Sequence, residues 1–186
     1  MKKTLEALNL LVTDGILRSY AIGGAMGAMF YTEAMNTEDL DIFTVLPYAK
    51  SGLITLKPLY DELAARGYKA DHEHVVIEGI PVQFLPAYNP LIEEALDNAI
   101  DREVANIPTR VPSAEYLCAI ALQTGRPKDI ARVDLFITQY LVDLQTLNTI
   151  CRKHNIVVPN EIKRKTRTRS TNTSQRKRSN DGPGIE

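Results

Sequence analysis

"AIGGAMGAMFYTEAMNTEDLDIF", residues 21–43, joins two features that decide the fold. Gly23 and Gly24 sit between small apolar residues, and Asp39 and Asp41 follow, one residue apart. In a strand, residues i and i+2 point to the same side, about 7 Å apart. Two like charges on one face repel unless a cation lies between them. Glycines let a ligand phosphate approach the backbone, and a helix start behind them adds N–H groups and a positive dipole end. A strand ending in a glycine pair, a helix, then a strand opening Asp-Leu-Asp therefore suits metal-bridged phosphates. Two carboxylates at this spacing can hold one or two Mg²⁺ ions, which take oxygen ligands at roughly 2.0–2.1 Å. The bland alternative is a plain turn with both acids on a solvated edge. A dinucleotide-binding fold fits less well, because GGAMGA only approximates G-x-G-x-x-G and no parallel βαβ series follows.

Working outward, Leu5, Leu8, Leu11 and Val12 recur at helical spacing, which predicts a helix over 2–13 with Gly15 near its end. A short strand follows at Ser19–Ile22, then a helix over Ala25–Met35. Leu40, Ile42, Val45 and Leu46 predict a strand carrying the acid pair at its start and ending at Pro47. Residues 57–66 read as helix, stopped by Gly67. "EHVVIEGIPVQFLP" is a hairpin pattern: Val75–Ile77, a turn at Glu78–Gly79, then Val82–Leu85 up to Pro86. "NPLIEEALDNAI" opens a helix with Asn89 as cap and Pro90 in the first turn. A short extended piece is expected around Val104–Ile107. Ser113 can then cap a helix that stops at Gly125, and residues 126–154 read as one helix or two. The order predicts an α+β fold: a mixed sheet with flanking helices over 1–110, a helical segment packed on it over 111–158, and a disordered basic tail over 159–186.

The chain has 186 residues, 44% of them hydrophobic, enough for a sizeable core and against general disorder. Its 22 basic and 23 acidic residues are unevenly placed. Eight of the basic and three of the acidic residues fall in 161–186, so that end carries +5 and the body −6. An acidic body argues against a broad nucleic-acid footprint on the folded part. The tail has no aromatic residue for base stacking, so any contact with nucleic acid would be weak and through phosphates. Cys118 and Cys151 show no C-x-x-C or zinc spacing, and they read as small core residues in a reduced, cytoplasmic compartment. The N-terminal stretch carries Glu6 inside its apolar run and reads as an amphipathic helix rather than a signal peptide. No apolar run approaches the length of a membrane span.

The motif "IGG", fourteen residues, then "DLDI" resembles the signature of the polymerase β-type nucleotidyltransferase superfamily. "SAEYLCAIALQTGRPKD", residues 113–129, resembles the helical segment of its AbiEii-like branch, the abortive-infection toxin type, and related small bacterial proteins. The resemblance covers about residues 5–155. It implies a polymerase β-like core that uses Mg²⁺ and an NTP, ATP or another, to move an NMP onto an acceptor hydroxyl of RNA, protein or a small molecule. It further implies nucleotide contacts from Gly23, Gly24 and Thr37, metal binding by Asp39 and Asp41, and phosphate or acceptor contacts from Arg126, Lys128 and Asp129.

Two departures stand out. Members with activity usually carry a third carboxylate on a later strand, where this chain has Gln83. A neutral amide can coordinate through oxygen but cannot take a proton. Glu78, Asp71 and Glu73 are the nearby substitutes, with Glu78 awkward by strand parity. Ala121 replaces a lysine common in relatives. These losses keep a second reading open: a degenerate domain that binds a nucleotide or a protein partner, as one component of a toxin–antitoxin pair. Elsewhere, His72 and His74 put two imidazoles on one predicted strand face without a third ligand nearby, which favours an ordinary surface strand. Arg126, Lys128 and Arg132 have an alternative as a solvated helix end, and no Ser/His/Asp or Cys/His arrangement stands out.

Overall fold

In the computed structural model, described here for residues 1–33, 37–47 and 55–164, a five-stranded sheet divides two apolar cores. The chain runs α1 (Lys2–Thr13), β1 (Ser19–Ile22), α2 (Gly24–Ala28), β2 (Leu40–Val45), α3 (Lys57–Ala65), β3 (Lys69–Asp71), β4 (His74–Ile77) and β5 (Ile80–Pro86). It continues through α4 (Pro90–Asp97), β6 (Ile100–Val104), β7 (Ile107–Val111), α5 (Ala114–Thr124), α6 (Pro127–Thr138) and α7 (Leu144–Lys153). The sheet order is β1-β2-β5-β4-β3, with β2 and β5 parallel and the other pairs antiparallel. The α+β class with helices flanking a mixed sheet is thus what the sequence pattern predicts.

Strand alternation sorts the two faces. Leu40 and Ile42 of β2 and Val82 and Phe84 of β5 enter one core with Leu5, Leu8 and Leu11 of α1 and Leu59 and Leu63 of α3. Phe43 of β2 and Ala21 of β1 turn to the other face, where α4, α5, α6 and α7 gather around the fully buried Phe136. Truncating a buried phenylalanine to alanine typically costs about 3–5 kcal/mol, so Phe136 is a principal anchor of the helical layer. Asp41 and Gln83 share this second face by parity. Asp41 lies near the start of β2 and Gln83 midway along β5, and the two are register partners.

Local chemistry sets the helix ends. Asn89 Oδ1 accepts the Ile92 N–H at 3.0 Å and Pro90 fills the first position of α4, as expected from the sequence. Asp143 caps α7 by accepting the Thr146 N–H at 2.7 Å. Gly125 ends α5 in the left-handed region at φ +70. Ser113 occupies the cap position of α5, but its hydroxyl donates to Glu115 instead of accepting a backbone N–H. Glu94 of α4 ties the helical layer together: it accepts from Tyr116 of α5, from Lys153 of α7 and pairs with His154 beyond it.

The structure differs from the sequence reading at several points. α2 is a single short helix ending at Ala28, and the rest of the expected helix runs into a turn; Ala34–Asn36 lie outside the described residues. Val104–Ile107 is the turn of a hairpin rather than an extended piece, with Ala105 and Asn106 at φ 52 and 63 between β6 and β7. β3, an exposed edge strand, is additional. Residues 160–164, expected to be disordered, form a helical turn because Ile162 buries against the helical core. The remainder of the expected tail, 165–186, lies outside the described residues. Both cysteines are buried and free, and among the described residues no helix is long and apolar enough to cross a membrane.

Candidate active site

The start of β2 and the middle of β5 open into a cleft of about 420 Å³, roofed by α5 and the start of α6. Gly24, at φ +56, opens α2 in a conformation that favours glycine. A Cβ there would overlap the Oδ2 of Asp41, so the absent side chain is what gives the carboxylate its place. Gly23 serves packing instead. A Cβ on it would strike the ring of Phe43, and its N–H donates to the Asp41 carbonyl at 2.8 Å. That donor is therefore spent within the protein, while Gly24 and Ala25 line the cleft. With five residues, α2 adds little dipole, contrary to the longer helix expected.

Asp39 lies just before β2 rather than inside it, and it lines the same cleft as Asp41. Its Oδ2 is 3.9 Å from His74 Nε2. Burial pushes the Asp41 carboxyl above the usual carboxylate range; Arg126 and Arg132 oppose that rise, Asp39 adds to it, and Lys128 opposes it. Among the described residues none makes an ion pair or hydrogen bond with the Asp41 carboxylate itself. It is a partly buried acid whose charge is met only at a distance. Thr37 lines the cleft and its hydroxyl faces the Asp39 carbonyl at 3.4 Å.

Across from the acids stand Arg126, Lys128 and Arg132. Asp129, expected to touch the ligand, is 2% exposed and is occupied with two of them. Its Oδ2 accepts from Arg126 Nε at 2.6 Å and its Oδ1 lies 3.5 Å from Arg132 Nη1. Asp129 lines the cleft with its carboxylate turned to these cations, which it orients. Ala121 lies in the cleft wall, which is apolar there. Gln83 points in beside Asp41, and its Nε2 donates to Glu73 Oε2 at 3.0 Å. His72 and His74 do not share a face: His72 sits in the β3–β4 turn at φ 55, paired with Asp71, while His74 turns toward Asp39.

Sequence reasoning did not place Tyr88, an exposed ring on the cleft rim, and nothing local marks it. Arg132, weighed in the sequence with Arg126 and Lys128 as a phosphate contact or a solvated helix end, lines the cleft.

The donor set fits Mg²⁺. Asp39 and Asp41 offer hard oxygens, and Asp41 carries charge that a cation would relieve. Among the described residues no cluster of three or more metal-ligating side chains forms. Two carboxylates suffice where Mg²⁺ is held jointly by substrate phosphates and water, as it commonly is. The acids and cations on opposite walls match a polyanion bridged to a divalent ion.

Solved structures of similar shape include an antigenic nucleotidyltransferase-like protein from Paracoccidioides brasiliensis. It is 14% identical, with TM-score 0.51 over 82% of this chain and 87% of that one. A second is the antibiotic-resistance factor ANT(2'')-Ia, 12% identical, with TM-score 0.50 over 96% of both chains. This chain has a nucleotidyltransferase fold. No protein-family model matches the sequence, and no curated protein is significantly similar to it. At these identities the likeness is one of fold, and the chemistry of this nucleotidyltransferase fold must be argued from its own cleft.

Proposed function

We propose that this protein is a Mg²⁺-dependent nucleotidyltransferase that moves an NMP from an NTP to an acceptor hydroxyl. The observation that carries the reading is the seating of Asp41 against the side-chain-free Gly24, in one cleft with Asp39 and opposite Arg126, Lys128 and Arg132. Asp39 and Asp41 would hold the metal, which when bound neutralises phosphate charge and polarises the phosphoryl group. The backbone from Gly24 onward would take the β- and γ-phosphates. Arg126 and Lys128, steadied through Asp129, would bind a phosphate or the acceptor and offset negative charge as pyrophosphate departs. Thr37 would position the loop that carries Asp39.

The acceptor is an RNA end, a protein side chain or a small molecule. ANT(2'')-Ia, an antibiotic-resistance factor of the same fold, brings small molecules into the set to be tried. The resemblance of residues 113–129 to the AbiEii-like branch supports a bacterial setting and a toxin–antitoxin context. Gln83 favours one second reading: a domain that binds the nucleotide, or a toxin–antitoxin partner, without turning over. The two are separated by incubating the protein with Mg²⁺ and each α-labelled NTP, alone, with tRNA and with small-molecule antibiotics. Label on protein, RNA or small molecule supports transfer. Binding without any label transfer supports the second reading, and absence of nucleotide binding removes the first.

A further inference from the structure

Besides Asp39, Asp41 and the arginine-paired Asp129, the cleft carries one more carboxylate, displaced from the strand position where Gln83 stands. Asp41 of β2 and Gln83 of β5 are register partners on one sheet face. One step further across the sheet, Glu73 leans in from the turn joining β3 and β4. Its side chain lines the cleft with Asp39 and Asp41, and its Oε2 accepts from the Gln83 amide at 3.0 Å. Asp71 and Glu78, the other acids near this point, do not line the cleft: Asp71 pairs with His72, and Glu78 accepts from the Tyr68 hydroxyl.

The turn that presents Glu73 is unusual in its own backbone. His72 holds φ 55, a conformation that non-glycine residues seldom adopt, and its ring contacts Asp71 at 2.7 Å. The next strand begins at His74, whose ring faces Asp39. The two residues after the strained position both line the cleft, Glu73 reaching Gln83 and His74 facing Asp39. Gln83 has one amide group, and it donates N–H to Glu73. This fixes one carboxylate oxygen and leaves the other free to accept a proton.

We infer that Glu73, held by Gln83, is the proton acceptor for the attacking hydroxyl, an inference that rests on the nucleotidyltransferase reading. In the step it serves, the acceptor oxygen forms a bond to the α-phosphorus. The bond from that phosphorus to the bridging oxygen breaks, and pyrophosphate leaves with the electron pair. The hydroxyl proton passes to the Glu73 carboxylate. Proton removal by a positioned base is worth roughly 10²–10⁴ in rate.

Glu73→Gln keeps a hydrogen-bonding partner for Gln83 but removes the base. The test measures conversion of α-labelled ATP to AMP with Mg²⁺, water standing in for the acceptor, together with the Kd for ATP·Mg²⁺ by calorimetry. Glu73→Gln should slow AMP formation roughly 10²–10⁴-fold with the Kd unchanged. The exchange Glu73→Gln with Gln83→Glu returns a carboxylate to the same amide pair and should recover most of the loss. Wild-type turnover in Glu73→Gln, an exchange variant as slow as the single one, or a wild type that binds ATP·Mg²⁺ yet forms no AMP would each overturn the inference. Failure of the wild type to bind ATP·Mg²⁺ would instead remove the reading beneath it, and the inference with it.

Discussion

The Oδ2 of Asp41 occupies the space that a Cβ on Gly24 would fill. A glycine and a carboxylate seventeen positions apart in sequence are therefore one structural unit. Gly24→Ala should both strain the backbone at φ +56 and push the carboxylate aside. A strained residue of this kind costs about 1–3 kcal/mol, so urea denaturation should report a loss of that size. Calorimetry should show ATP·Mg²⁺ affinity falling with it. Gly15→Ala, at a comparable φ with open space around it, should lose stability without the binding defect.

Asp41 sets a pH signature. Its folded pKa lies above the ordinary value of 3.8, chiefly through burial. The folded state therefore holds the proton more tightly than the unfolded chain, and stability falls as pH rises from the ordinary carboxylate value through the raised one. Replacing Asp41 by Asn removes the buried charge. Without divalent ions, Asp41→Asn should melt at a higher temperature than the wild type at pH 7, and the gain should vanish near pH 3. An identical Tm difference at both pH values would contradict this.

Glu94 should behave in the opposite sense. Its hydrogen bonds from Lys153, Tyr116 and His154 lower its pKa from 4.5 to about 2. A depressed folded pKa stabilises the protein above the unfolded value, and that stability is lost as pH falls through the window from 4.5 to about 2. Hydrogen bonds to charged groups contribute about 1.5–3 kcal/mol. Glu94→Gln should therefore destabilise the helical layer by an amount in that range at pH 7, and acid unfolding of the variant should show a shallower slope below pH 4.5.

Asp129 acts on the ligand through its neighbours. Asp129→Asn loosens Arg126 and Arg132 and should weaken ATP·Mg²⁺ binding about tenfold, equivalent to about 1.4 kcal/mol. Arg126→Ala should weaken it comparably, and the double variant should add little, because the two residues form one pair. Additive losses would place Asp129 in a separate role.

Much of this was legible in the sequence because the signals were local. Leu5, Leu8 and Leu11 carry helical spacing, Asn89-Pro90 carries a cap, and Asp39-Leu40-Asp41 carries a like-charge pair that calls for a cation. The β6–β7 hairpin was missed because its turn uses Ala105 and Asn106 rather than a glycine, and β3 because Lys69, Ala70 and Asp71 lie exposed on a sheet edge without alternation. Glu73 stood among three candidate acids until the fold separated them, since strand pairing across β3, β4 and β5 alone brings it to Gln83. The burial of Asp129 likewise depends on how α5 and α6 pack, which no spacing within residues 126–132 reports.

Calorimetric titration of ATP with Mg²⁺ into wild type and Asp41→Asn, each shown folded by its melting curve, tests the central claim most directly. The account predicts Mg²⁺-dependent binding by the wild type and none by Asp41→Asn, because Asp39 alone holds the ion poorly. Equal affinity in the two proteins would contradict it and take the acid pair out of the function.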